Sequence, residues 1–357
     1  MKRGIQALAG LVLGVVLVWL VFRGTDWVKV GDAIRTMDLR WFVVSMVPLW
    51  LSFFFRVQRW TYIVRASQPA SYRHLFAATQ IAFLANFTLP GRIGELLRGM
   101  VLTRLTGIPL SRTIAMVALD RVTDLFGLAA VILVSIAAYR PPDGVSIPAD
   151  TFGTDAPITF TAGQFQAGAA GVGALMLGVI GALAILYLNR AWVLRISDAI
   201  LGKVSKKLAD RLHGMIEHFS DGLHIFRSPA DMAYALGWSM LTWGCSLAVL
   251  VILFHAFHID PPWYTSFVLL SLLSVAIAAP GTPGLVGQYH VPLVLGLAMI
   301  VPAMSVDHAR AFAIIAHLNN LPPIILTAAY VAATEHLGIL QLGREGLKGE
   351  PASIAPE

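Results

Sequence analysis

The stretch LANFTLPGRIGELLRGMV, Leu84–Val101, sets an apolar run against a Pro90-Gly91 turn and then places Arg92, Glu95 and Arg98 at helical spacing. Charge of this density is unusual in its surroundings. Only 13% of the chain is Asp, Glu, Lys or Arg, against about 25% in soluble domains, while 57% is hydrophobic and the mean hydropathy is +0.72. These values define a polytopic membrane protein and exclude a soluble globular domain. The net charge of +6 and pI near 9.6 would suggest nucleic acid in a soluble chain. Here the basic residues cluster in loops beside apolar spans, so the positive-inside bias accounts for them and no nucleic-acid partner is expected.

Working outward, apolar spans are expected at Ile5–Phe22 and Trp41–Val64. The run His74–Leu89 leads into the quoted turn. Further spans follow at Thr113–Tyr139, Gln166–Leu188, Ala230–Phe257, Trp263–Ala279, Leu285–Val301 and Arg310–Thr334. The fold class is an all-α membrane bundle: one transmembrane domain over 1–340, with a cytoplasmic amphipathic segment at 190–229 and a cytoplasmic tail at 341–357. In that segment Ile196, Ile200, Val204, Leu208, Leu212, Met215, Phe219 and Leu223 recur at three or four residues among lysines, as in a helix lying on an anionic leaflet or packed on the protein. Lys2 and Arg3 put the N-terminus inside. The mixed-sign segment Arg23–Arg40 and the acidic segment Arg140–Phe165 fall outside, whereas Arg56, Arg59, Arg65 and Arg73, and later Arg190–Arg227, mark cytoplasmic turns. Both termini are then cytoplasmic, in a bacterial inner membrane. His74–Arg112 must enter and return on one face, a hairpin turning at Pro90-Gly91. Its return limb is either a re-entrant half-helix lining a polar cavity or an amphipathic cytoplasmic helix.

PGLVGQ, Pro283–Gln288, repeats the pattern of PGRIGE, Pro90–Glu95. Three expected crossings separate the two, an odd number, so the second hairpin enters from the opposite face. The alternative is a pair of ordinary interhelical turns. Inverted broken-helix repeats are a transporter feature, with half-helix N-termini aimed at anionic groups. Gly94 belongs to the first turn, and Pro280, Gly281, Pro283, Gly284 and Gly287 form the second.

Asp120, Arg121 and Asp124 lie about 10 to 17 Å into their span, at about 1.5 Å per residue, with both carboxylates on one helical face. A central charge costs about 2.5 to 3.5 kcal/mol uncompensated, so partners are required, and Arg92 or Arg98 are the candidates. The arrangement fits an anionic-headgroup groove lined by Asn86, Arg92, Glu95, Arg98, Asp120, Arg121, Asp124, Gln288, His290 and Asn319, and fits a structural clamp equally well. His317, Asn319 and Asn320 would line that groove or bridge helices. His255-x-x-His258 with Asp260 has ligand-like spacing but reads as interfacial histidines, because no third strong donor accompanies it. The sequence has no Gly-x4-Gly-Lys-Ser/Thr loop, nucleophile triad or HExxH, so neither a catalytic residue nor a cofactor or metal is assigned.

The ordered set Asn86–Arg98, then Asp120-Arg121-Val-Thr-Asp124-Leu, then Pro280-Gly-Thr-Pro-Gly-Leu-Val-Gly287 resembles the lysylphosphatidylglycerol synthase transmembrane, or flippase-like, family over nearly the whole chain. The resemblance implies a protein that moves or hosts a lipid: an anionic phospholipid, a polyprenyl-linked molecule or a hopanoid-type lipid. Gln288-Tyr289-His290 departs from the acidic residue such proteins commonly carry after the second Pro-Gly motif. The sequence ends at Glu357, and the expectation is that the synthases' soluble aminoacyl-transferring domain is absent. The reading is therefore a lipid translocator and not an enzyme. Its alternatives are a membrane-embedded lipid transferase, with Glu95, Asp120 or Asp124 as base, or a non-transporting partner of a cell-envelope enzyme.

Overall fold

The computed structural model describes residues 2–65, 68–88, 93–141, 143–189, 191–195, 229–278 and 282–335. Helices carry most of it: α1 (Lys2–Phe22), α2 (Trp27–Arg35), α3 (Leu39–Arg65), α4 (Tyr72–Thr88), α5 (Gly94–Thr106), α6 (Leu110–Ala138), the single turn α7 (Ala149–Phe152), α8 (Ala162–Leu188), α9 (Pro229–Ala256), α10 (Thr265–Ala278), α11 (His290–Ile300), α12 (Val306–Leu318) and α13 (Leu321–Glu335). A short antiparallel ribbon of β1 (Val145–Ile147) and β2 (Ile158–Phe160) sits between α6 and α8. In lipid every backbone amide needs an internal partner, and the helix supplies one within the segment. Among the described residues five stretches are long and apolar enough to cross a membrane: Leu39–Arg65, Leu110–Ala138, Ala162–Ala182, Ala230–Ala256 and Val306–Val331. The protein is an integral membrane helix bundle.

Two pairs of neighbours fall short of that length. α4 and α5 have 17 and 13 residues and pack on each other; α10 and α11 have 14 and 11 and do the same. At about 1.5 Å per residue, none reaches a hydrocarbon core of about 30 Å. The close approach of α4 and α5 depends on Gly94: a Cβ there would collide with the Ala82 carbonyl and the Asn86 side chain. Asn86 Oδ1 accepts from the Gly94 N–H at 2.9 Å, satisfying an amide that the start of α5 leaves without a helical acceptor.

One end of the bundle is a capped plate. Arg310, 2% exposed, donates from Nε to Val21 O at 2.7 Å and from Nη2 to Arg23 O, Asp150 O and Thr151 O, while Nη1 pairs with Asp307 at 2.8 Å. The Asp38 N–H donates to Ala256 O, and Tyr139 Oη donates to Met299 O. α2, N-capped by Asp26, packs on α12. The Lys29 and Val28 amides that bond the Asp26 carboxylate hold its pKa below the ordinary value.

Two apolar cores result. One joins Trp60, Ile63, Leu75, Leu97 and Met116 across α3 to α6; the other joins Leu253, Phe257, Leu269, Leu297 and Phe312 beneath the plate.

Several expectations need correction. The span expected at Leu285–Val301 is helical only over His290–Ile300, because residues 283–289 form a 3-10 turn and further turns with positive φ at Gly284 and Gly287. The span expected at Arg310–Thr334 falls almost wholly within the membrane-length stretch Val306–Val331, with α12 and α13 meeting at a turn at Asn319-Asn320, where Pro322 and Pro323 supply no N–H to continue a helix from α12. The segment Arg23–Arg40 contains α2 and the start of α3. The tail at 341–357, Pro90, Gly91, Arg92, Pro280, Gly281 and most of 190–229 lie outside the described residues.

Candidate functional site

The charges expected to need partners have them, and two of those partners come from an unexpected element. Asp120, fully buried, accepts from Arg59 Nε at 2.8 Å and from Arg98 Nη1 at 2.5 Å. Asp124 accepts from Arg59 Nη1 at 2.6 Å and from Arg56 Nη1 at 3.4 Å. Arg121 reaches Asp120 at 3.2 Å, Asp124 at 3.4 Å and Glu95 at 3.5 Å. The i, i+4 spacing of the carboxylates lets the single fork of Arg59 bridge both, since one turn of helix returns them to the same face.

Neighbouring groups hold this network in place. The Arg98 guanidinium lies 3.7 Å over the Trp60 ring, and Arg56 lies over Phe83. Arg59 Nη1 also donates to Ser239 Oγ, which donates to Thr123 O; Trp243 Nε1 donates to Asp124 O. α3, α5, α6 and α9 thus converge on one point. Arg59 lies about 9 Å of helix from the Arg65 end of α3, and Asp120 about 15 Å from the Leu110 end of α6.

Among the described residues four guanidiniums face three carboxylates, leaving one positive charge. Donors are also left over. Arg56 Nε, Arg59 Nη2, Arg98 Nε and Nη2, and Trp60 Nε1 are buried without hydrogen-bond partners. Buried donors are satisfied in the great majority of cases, and an excess of buried cation is costly unless an anion joins it. Chemically the cluster can accept an oxyanion. Glu95 and Arg121, with side chains 34% and 36% exposed, are its most accessible charges; Arg56 and Asp124 are at 17% and 14%, and Arg59, Arg98 and Asp120 are at 1% or less.

Other expected groove residues serve the turns. Asn86 is spent on Gly94. Gln288 Oε1 accepts from the Thr282 N–H and hydroxyl, and Nε2 donates to Ala276 O, so its carboxamide closes the second turn. His290 Nδ1 accepts from the Gly287 N–H at 3.3 Å. Asn319 is fully buried, and neither of its amide atoms has a partner. The two turns meet: a Cβ on Gly284 would lie 3.6 Å from Phe87 O. His317 is stacked on Tyr289 at 4.8 Å, with His290 and Phe87 rings beside it, and Asn320 Nδ2 donates to Tyr289 Oη. His255 packs on Trp41 at 5.2 Å. Among the described residues no group of three His, Cys, Asp or Glu is placed to hold a metal.

Arg56 and Arg59 are the partners that loop-charge counting misassigns. Their signal was the i, i+3 spacing, which puts two cations on the face of one span.

A membrane bundle with a paired, net-cationic charge cluster inside it defines an integral membrane protein that accommodates polar groups among its helices. Residues 7–327 match the family described as lysylphosphatidylglycerol synthase TM region, and the chain belongs to that family, a membrane-lipid-related one. It is similar to glycosyltransferase AglD of Haloferax volcanii, 27% identical over 332 residues, which are 86% of this chain and 52% of the relative. The chain spans about half the length of that curated relative.

Proposed function

We propose that this protein is a flippase-like translocator of a lipid or lipid-linked molecule, and that the α3–α5–α6 cluster binds the anionic headgroup. The carrying observation is the unmatched guanidinium together with the unpartnered buried donors around it. An anion brought to Arg56, Arg59, Arg98 and Arg121 would gain charge-assisted, forked hydrogen bonds, while the acyl or prenyl tails stay in lipid.

On this reading α4–α5 and α10–α11 are re-entrant hairpins entering from opposite faces. Chain continuity supports it. The hairpin α4–α5 leaves and rejoins the end that holds Arg65 and Leu110, whereas both ends of α10–α11 reach the plate, with Tyr264 and Met299 each touching Tyr139. The tips meet at Phe87 and Gly284. Loop charge then puts the plate outside and both termini in the cytoplasm, in a bacterial inner membrane. The protein acts as a conduit and not as an enzyme, without a cofactor or metal.

The test uses purified protein in liposomes carrying a fluorescent headgroup-labelled anionic lipid, with quencher access to the inner pool followed over time. Wild type exposes the inner pool without nucleotide. Arg98→Lys and Arg121→Lys, which keep charge and lose the fork, slow exposure about tenfold, a loss of about 1.4 kcal/mol, while thermal unfolding shifts little. Redistribution no faster than in empty liposomes, across several anionic lipids and with an imposed pH gradient, would overturn translocation. The glycosyltransferase relative favours a second reading, a lipid-modifying transferase or the partner of one, which a change in lipid mass would reveal.

A further inference from the structure

The ion pair at the edge of the cluster differs from the rest. Arg59 and Arg98 meet their carboxylates at 2.5 to 2.8 Å with side chains at most 1% exposed, whereas Glu95 Oε2 and Arg121 Nε stand 3.5 Å apart. Both of those atoms are buried, yet neither makes a hydrogen bond, although each side chain is about a third exposed. The pair is electrostatic contact without a fitted bond. Glu95 also sits in the first turn of α5, where the positive end of the helix dipole favours any anion.

We infer that Glu95 is a resident stand-in for the ligand's anion: its carboxylate occupies the place at Arg121 and the α5 N-terminus that a phosphate takes on binding. The inference rests on the headgroup reading above and adds a competitor to it. Without Glu95 the four arginines would face only Asp120 and Asp124, two positive charges in excess. With it the empty cluster carries one. A phosphate supplies a charge and more than one acceptor oxygen, so it can meet Arg121 together with the unpartnered Arg98 Nε and Nη2, which a single tethered carboxylate oxygen does not do. Displacement leaves Glu95 on the accessible side, where water or headgroups solvate it. The consequence is opposite in sign to that of a direct ligand or a proton-accepting base: removing the charge of Glu95 should tighten binding.

Glu95→Gln keeps the shape and abolishes the competition. Protein in phosphatidylcholine nanodiscs is titrated with phosphatidylglycerol, and separately with soluble inorganic phosphate, and bound ligand is counted by native mass spectrometry. Glu95→Gln should bind phosphatidylglycerol about 1.5- to fivefold more tightly than wild type, the range for removing a partly exposed carboxylate from one arginine, and Glu95→Asp should stay near wild type. Tightening with phosphatidylglycerol alone identifies a lipid headgroup; tightening with phosphate as well identifies the bare anion as sufficient. Weaker or unchanged binding in Glu95→Gln, with wild-type binding that Arg98→Lys still lowers, would overturn the stand-in role and leave the headgroup site intact. Wild type that binds neither probe would overturn both. Thermal unfolding of the variant checks folding, since a purely structural Glu95 would lower stability without tightening either ligand.

Discussion

At the scale of single residues, Asp124 measures how strongly the cluster is coupled. It touches Arg56, Arg59 and Arg121, so Asp124→Ala leaves buried cations unpaired and should cost about 3 to 5 kcal/mol or prevent folding. Asp124→Asn retains an acceptor oxygen and should cost clearly less. Thermal unfolding in detergent or nanodiscs distinguishes them, and equal, negligible losses would mean that the carboxylate faces water. The two aspartates were legible in the sequence because i, i+4 spacing inside an apolar span has one structural meaning. Arg59 was not. A cation six residues from the end of a span looks the same to a hydropathy window whether it faces a loop or a carboxylate 61 positions later, and only tertiary packing separates the two cases. Asn86 and Gln288 were recognised as polar residues of importance, and their amides make hydrogen bonds at the two turns.

At the scale of elements, the α4–α5 pair is specified by a backbone approach. Gly94→Ala pushes a methyl into the Ala82 carbonyl and the Asn86 side chain, and should destabilise by about 1 to 3 kcal/mol through overpacking, with loss of the Asn86 cap. Gly237→Ala, where nothing lies within 4 Å, should be neutral or slightly stabilising, since a helix favours Ala over Gly. Equal unfolding temperatures for the two variants would mean that the turn adjusts freely. The pairing of α4 with α5 was readable because a turn dipeptide separates the apolar run from the charged limb that follows it. The turn at Asn319-Asn320 was not visible in the sequence because Pro322 and Pro323, five and six residues past His317, sit inside a run whose mean hydropathy hides them. The ribbon and α2 escaped for a different reason: α2 packs on α12 and β1 on α11, and neither neighbour is local in sequence.

At the scale of the whole molecule, topology is the first thing to measure. In a Cys245→Ala background, cysteine at Asp155, exposed between the ribbon strands, should react with an impermeant thiol reagent from outside, and cysteine at Lys206 only after permeabilisation. Gly144 is unsuitable for the label, because its φ of +86° and the Phe160 carbonyl against its Cβ position leave no room for a side chain. Reversed labelling would exchange the faces assigned to the two hairpins. α8 shows how unevenly the bundle is built: none of its membrane window is buried among the described residues, and its main contacts there are with α6 and β2.

Arg310 has a mechanical consequence. One guanidinium gathers the carbonyls of Val21, Arg23, Asp150 and Thr151 together with the Asp307 carboxylate, so the end of α1, the loop beside the ribbon and the start of α12 are bolted to one another. The arginine cluster lies on elements that the bolt does not hold, and the hairpin that carries Arg98 is fastened separately, by Arg98 to Asp120, Thr103 to Thr113 and Gln80 to Thr327. The plate is then a frame whose separate segments share a single fastening.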